Sequence, residues 1–208
     1  MELSYRGGNC VEIAVKKETL VIDGKLSLLG LKDITEKDGV YLSTQSDFTI
    51  VREGAVTIDG PGEYEVRGVS VKGISSERMI DGDGSKQATI YRIVVDGVRI
   101  VVTGHVRQPL SDEELEAIGV IDMAIVPIGG GGYTFDAHQA AKVIKQLEPK
   151  VAIPTHYADD ALKYEVPQEA AVEEFVKELS AAHETVPSYK IKGGILPATL
   201  TVMEITRS

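Results

Sequence analysis

Apolar residues in the first hundred positions recur at every second place. Val11, Ile13 and Val15 alternate with Glu12, Ala14 and Lys16, which predicts a strand buried on one face. Leu20-Val21-Ile22, then Asp23-Gly24, then Leu26, Leu28 and Leu29 predict a hairpin, because glycine supplies the positive φ of a tight turn. Residues 92–95, the pair Asp96-Gly97 and residues 98–102 repeat that pattern. Asp59-Gly60-Pro61-Gly62 marks a turn between apolar stretches at 56–58 and 64–66.

The second hundred residues change period. Ser111-Asp112-Glu113-Glu114 reads as a capping box that opens a short helix ending at Ile118. Residues 123–126 form a continuous apolar run, as expected of a strand buried on both faces. After four glycines at 129–132, a helix is expected from near Asp136, with Ala137, Ala140, Ala141, Ile144 and Leu147 on its apolar stripe. Val151-Ala152-Ile153 predicts another buried strand, stopped by Pro154. Pro167 is expected to open a further helix with Val172, Phe175, Val176 and Leu179 on one face. Residues 202–205 read as a final strand. Strands first, then alternating strand and helix, predict two sheets covered by helices, and the early hairpins argue against one long parallel sheet. No internal repeat or linker interrupts the pattern, so residues 1–208 are expected to form one domain.

Composition narrows the partners. The 22 Lys and Arg against 32 Asp and Glu give a net charge of −10, which opposes approach to phosphate backbones and to anionic membrane surfaces. Nucleic acid and membrane are therefore excluded as expected partners. No apolar run is long enough for a membrane span, the first ten residues do not resemble a signal peptide, and the lone Cys10 permits no internal disulfide. The expectation is a cytoplasmic protein.

Four histidines are the main candidates for chemistry. His105 and His156 each follow an apolar run, where strand ends present site residues. His138 lies one turn into a predicted helix, and His183 is expected near the last turn of another, so both read as structural. Two imidazoles alone are a weak metal signal, and a third donor is needed; Asp47, after Tyr41-Leu42, is a carboxylate at a predicted strand end.

Several segments, in order, resemble the metallo-β-lactamase superfamily, and within it the small metal-dependent hydrolases akin to L-ascorbate-6-phosphate lactonases. Residues 1–11 resemble the family's opening strand and its GHSC-type turn, with Gly8 where the family has histidine. Residues 59–66 resemble its PGEYE segment, residues 122–130 its PVGG segment, residues 133–136 its YT-x-D segment, and residues 154–157 its PMHY segment. The resemblance implies an α/β (α+β) four-layer αβ/βα sandwich with a site at one edge.

The same resemblance implies an altered site. The family's H-x-H-x-D-H motif falls on residues 43–48, where the histidine positions are Ser43, Gln45 and Phe48, and only Asp47 is kept. A serine hydroxyl or an amide is a poor ligand for zinc-like ions, and phenylalanine is none. The family's separate histidine would fall near residues 75–78, which hold none, and its bridging aspartate is His105 here. The reading is a protein that has lost most metal ligands, non-catalytic or strongly altered and without a cofactor, which binds a small-molecule ligand or a protein partner. The alternative is a mononuclear hydrolase of a small ester, lactone or phosphoester, with Asp47, His105 and His156 holding one zinc or other divalent metal whose water would be a nucleophile at neutral pH. A structural subunit of a homo-oligomer stays open as a third reading.

Other motifs carry less. The glycines at 129–132 before a helix invite a phosphate cradle but lack a P-loop's Lys-Ser/Thr ending, so they read as loop geometry. Ser43 and Ser46 lack a nucleophile-elbow context. Asp81-Gly82-Asp83-Gly84 resembles a calcium loop only in composition and reads as a solvated turn.

Overall fold

A computed structural model describes residues 1–81, 85 and 87–208; Gly82, Asp83 and Gly84 of the acidic turn lie outside the described residues. The chain begins with β1 (Glu2–Gly7), β2 (Cys10–Val15), β3 (Glu18–Ile22), β4 (Val40–Leu42) and β5 (Val56–Ile58). It continues through β6 (Gly62–Val66), β7 (Val69–Ser76), β8 (Ala88–Val95) and β9 (Val98–Val102) to helix α1 (Asp112–Ile118). The remainder is β10 (Met123–Pro127), α2 (Ala137–Leu147), β11 (Val151–Thr155), α3 (Val172–Leu179), β12 (Ala182–Val186), β13 (Tyr189–Lys190) and β14 (Thr201–Ile205). Two sheets result, a six-stranded one in the order β13-β1-β2-β3-β4-β5 and an eight-stranded one in the order β12-β14-β11-β10-β9-β8-β7-β6.

Both sheets are mixed. Strands β1 to β3 form an antiparallel meander, and β4 and β5 add in parallel. In the larger sheet β6 to β9 are antiparallel, while β9, β10, β11, β14 and β12 run parallel. The main core lies between the sheets, with Leu3, Ile13, Leu20, Tyr91, Ile125 and Ile153 among its fully buried side chains. A second core, including Ile144, Leu147 and Phe175, joins the outer face of the larger sheet to the helices. On the outer face of the smaller sheet Val21 and Tyr41 are covered by Leu26, Leu29, Ile34 and Ile50, from a 3-10 turn and loops. The sandwich thus has helices outside one sheet and a thinner loop layer outside the other.

Local signals held where they were short-range. Asp96 and Gly97 both take positive φ (48° and 75°) and close the β8–β9 hairpin. Ser111 and Asp136 each close a capping box, at α1 and α2. Five expectations are corrected. The Asp23-Gly24 pair makes no hairpin: Asp23 bonds forward to Thr44, and the chain enters a 3-10 turn at Leu26–Leu29. Pro154 lies inside β11, which at that point pairs with β10 alone, so its missing N–H interrupts no ladder to β14. Pro167 does not open a helix, because residues 169 and 170 are held by bonds to Gly129 O, and α3 starts at Val172. His183 is in strand β12, not at a helix end, and pairs with Glu204 at 2.8 Å. Glu12, expected to face solvent, is buried against the Arg6 guanidinium.

Across the sandwich the Tyr91 hydroxyl lies 3.0 Å from Ser43 O and 3.1 Å from Ile58 O, so its proton is shared between the ends of β4 and β5. Tyr91→Phe leaves these buried carbonyls without that donor and should cost about 1–3 kcal/mol in a urea unfolding titration, with the m-value unchanged.

Candidate functional site

The C-terminal ends of β3, β4, β9, β10 and β11 meet along one edge of the sandwich. They are joined by a chain of buried polar contacts. Asp23, at the end of β3 with φ 47°, accepts from Thr44 N (2.7 Å), Thr44 Oγ1 (2.7 Å) and Asn9 Nδ2 (2.6 Å). Asn9 Oδ1 in turn accepts from Thr155 Oγ1 at 2.8 Å, and His156 N donates to Gly8 O at 2.7 Å. Thr89 N reaches Thr44 O at 2.8 Å. The loop after β4 is therefore fixed from both sheets. Burial outweighs the three donors and pushes the Asp23 carboxyl up to about 6.

The six residues 43–48 leave β4 as an extended segment and then a 3-10 turn at Ser46–Phe48. Ser43 and Gln45 are buried, and Gln45 Nε2 donates to the Tyr133 hydroxyl at 3.0 Å while its Oε1 has no partner. Phe48 packs on His105, with ring centroids 5.2 Å apart. Asp47 turns the other way. Its side chain is two-thirds exposed (67%), and its partner is Arg78, 3.7 Å away. Arg78, from the segment where the family's separate histidine would fall, also holds Asp81 in a two-bond grip of 2.8 and 2.7 Å.

His105 and His156 do come together, edge to face, with centroids 4.8 Å apart. Tyr133 lies 4.8 Å from His105, and Tyr164 lies 4.9 Å from His156. His105 is buried and neither ring nitrogen has a hydrogen-bond partner. Burial, helped by His156 and the Arg78 charge, drives its imidazole well below the usual range, so it is neutral. His156 takes a left-handed φ of 51°. Its Nδ1 is 3.0 Å from Gln168 Oε1, and Gln168 Nε2 donates to Val166 O, so the amide presents oxygen and the imidazole proton sits on Nδ1. Burial brings His156 down to about 4.

A cavity of about 250 Å³ opens in front of this cluster, lined by Asn9, Asp23, Asp47, Phe48, Tyr133, His156, Tyr164 and, from the 3-10 turn, Leu26, Leu28 and Leu29. Gly8, φ 55°, lies beside it. A Cβ there would stand 2.4 Å from Leu29 Cδ1, so the space of the family's histidine at this place is filled by leucine. The glycines at 129–132 are loop: a Cβ on Gly129 would come within 2.1 Å of His156 O and 2.0 Å of Gln168 Oε1. His138, the second residue of α2, pairs with Glu178 at 3.0 Å and is not among the residues that line the cavity.

The fold family implies a metal centre, and the donors here do not match one. Two neutral imidazoles stand edge to face, but Asp47 is directed to Arg78, and Phe48 and Tyr133 also pack on His105. No group of three or more His, Cys, Asp or Glu placed to hold a metal ion occurs among the described residues. A guanidinium close enough to perturb His105 further opposes a dication. Sequence reasoning missed Asp23, Asn9, Arg78 and Gln168. Asp23 was within reach of the strand-end argument that found the histidines, since it too follows an apolar triplet, Leu20-Val21-Ile22.

Comparison with known proteins agrees with the fold. A sequence model of the beta-lactamase superfamily domain matches residues 2–156. A UPF0173 metal-dependent hydrolase of Thermoplasma acidophilum is 35% identical over 112 residues, covering 50% of this chain and 48% of that protein. A UPF0173 protein of Pyrococcus furiosus is 29% identical over 178 residues, covering 84% and 76%. The first of these matches thus spans about half the relative's length. A solved structure from Thermotoga maritima, described as of the metallo-beta-lactamase superfamily, superposes with a TM-score of 0.74 at 24% identity over 99% of this chain and 100% of that one. No helix among the described residues is long and apolar enough to cross a membrane.

Titration of the site divides by sign. The unfolded chain protonates histidine near 6.5, whereas folded His156 resists to about 4, so both buried histidines make stability fall as pH drops from 6.5 toward 4. Asp23 opposes them: its carboxyl titrates near 6 folded against 3.8 unfolded, so its contribution declines as pH rises through that window. His105→Phe removes an unpartnered imidazole from an aromatic cage. It should raise stability at pH 7 by about 1–2 kcal/mol and flatten the acid limb, as read by urea unfolding between pH 4 and 7.

Proposed function

The chain belongs to the beta-lactamase superfamily domain family, and we propose that within it this protein is a non-catalytic or strongly altered relative of the metal-dependent hydrolases, whose edge cavity binds a small organic molecule. One observation carries the reading. The two histidines that meet at the edge face Phe48 and Tyr133, while the carboxylate expected to join them is held outward by Arg78. Relatives are described as metal-dependent hydrolases, but at the motif positions this chain offers Ser43, Gln45 and Phe48. The cavity in front is lined with leucines and aromatic rings around a few polar groups, the usual makeup of a small-molecule pocket.

A second reading is favoured by the unpartnered nitrogens of His105: a mononuclear metal-dependent hydrolase with His105 and His156 joined by Asp47 after that side chain leaves Arg78. Metal analysis separates the two. Protein purified without chelator or histidine tag should carry substoichiometric zinc, iron and manganese, and zinc should leave the unfolding transition unmoved. A resident site would add about 2.7 kcal/mol at zinc a hundredfold above its Kd. Stoichiometric metal with a zinc-dependent rise, both lost in His105→Ala, His156→Ala and Asp47→Ala, would establish the mononuclear reading instead.

A further inference from the structure

The polar atoms around the edge cavity are mostly acceptors. Asp23 lines it as a buried carboxylate whose three donors are all neutral groups; no cation is paired with it among the described residues. His156, also buried and lining the cavity, carries its proton on Nδ1 toward Gln168, which leaves Nε2 as a bare lone pair without a partner among the described residues. The Tyr164 hydroxyl gives its proton to Tyr157 O at 3.0 Å and so has none to offer the cavity. Glu165 adds a second carboxylate at the exposed rim, while Asp47 is already matched by Arg78. Against these acceptors the lining supplies two donors, the Lys25 ammonium and the Tyr133 hydroxyl. A buried carboxylate compensated only by neutral dipoles gains most from a cation placed against it. Aromatic faces attract cations as well, and Phe48, Tyr133 and Tyr164 provide three.

We propose that the cavity takes a small organic cation, a primary ammonium on a short apolar or aromatic body, with the ammonium against Asp23 and His156 Nε2 and the body between the leucines and aromatic rings. The assignment rests on the small-molecule reading above. A volume of about 250 Å³ limits the body to roughly one ring and a short chain. The preference is for charge as well as shape, since a carboxylate-bearing ligand of the same size would meet Asp23, Glu165 and the lone pair of His156 Nε2.

Isothermal titration at pH 7.5 with phenethylamine, 2-phenylethanol and phenylacetate tests it, since the three share a ring and differ in the charge of the head. Phenethylamine should bind at least about tenfold tighter than the other two, and its affinity should fall with added salt while that of the alcohol does not. Asp23→Asn should remove the preference. Should that variant fail to fold, Glu165→Gln, at an exposed rim position, should weaken the amine about two- to threefold and leave the alcohol unchanged. Equal or tighter binding of the alcohol or of phenylacetate would overturn the cation assignment and leave the small-molecule reading standing. Binding of none of the three at millimolar concentration would overturn both.

Discussion

The edge of this protein is organised by one buried carboxylate. Asp23 ends β3 in a left-handed turn, ties down the backbone and hydroxyl of Thr44, and receives the Asn9 amide that is itself bonded to Thr155 at the end of β11. Strand ends from both sheets are thus joined through three side chains. Buried polar networks of this kind are stable only when complete, because each orphaned group in a low-dielectric interior costs about as much as the bonds it makes. The loop that carries Gln45, Asp47 and Phe48 takes its course from that anchor.

What the anchor presents is an edge lined largely by apolar and aromatic side chains. A metal centre needs convergent lone pairs with a dry, preorganised shell behind them. Here the convergent elements are two neutral imidazoles, and what surrounds them is aromatic. Phe48 and Tyr133 press on His105, Leu29 fills the space beside Gly8, and the Arg78 guanidinium is close enough for its charge to act on His105. These features are mutually consistent: rings and a leucine fill the space at the edge, and a guanidinium satisfies the Asp47 carboxylate. The strained backbone at Asp23 and His156 persists on both sides of the site, as expected where surrounding structure over-determines a conformation.

Much of the fold was legible because its signals are short-range. The Asp96-Gly97 turn and the two capping boxes are specified within four residues, and the apolar run at 123–126 could only be a buried strand. The Asp23-Gly24 pair carries the same local signature as Asp96-Gly97 yet makes no hairpin, since its outcome is set by Thr44, 21 residues later. Pro167 and His183 were misplaced for a similar reason: residues 169 and 170 answer to Gly129, and β12 answers to β14. In the site, position along the strands found both histidines that meet. It could not show that Asp47 turns toward Arg78, because a side chain's direction depends on charges brought in from another strand's end.

The central claim is that the sandwich edge is an organic pocket and that its histidines are not ligands. Anomalous diffraction from crystals grown with zinc addresses it directly, since it locates the ion rather than an effect of the ion. The account predicts no anomalous peak between His105 and His156, with both rings still packed against Phe48, Tyr133 and Tyr164. A strong peak at about 2.0–2.1 Å from a nitrogen of each ring, with Asp47 swung in from Arg78, would contradict it.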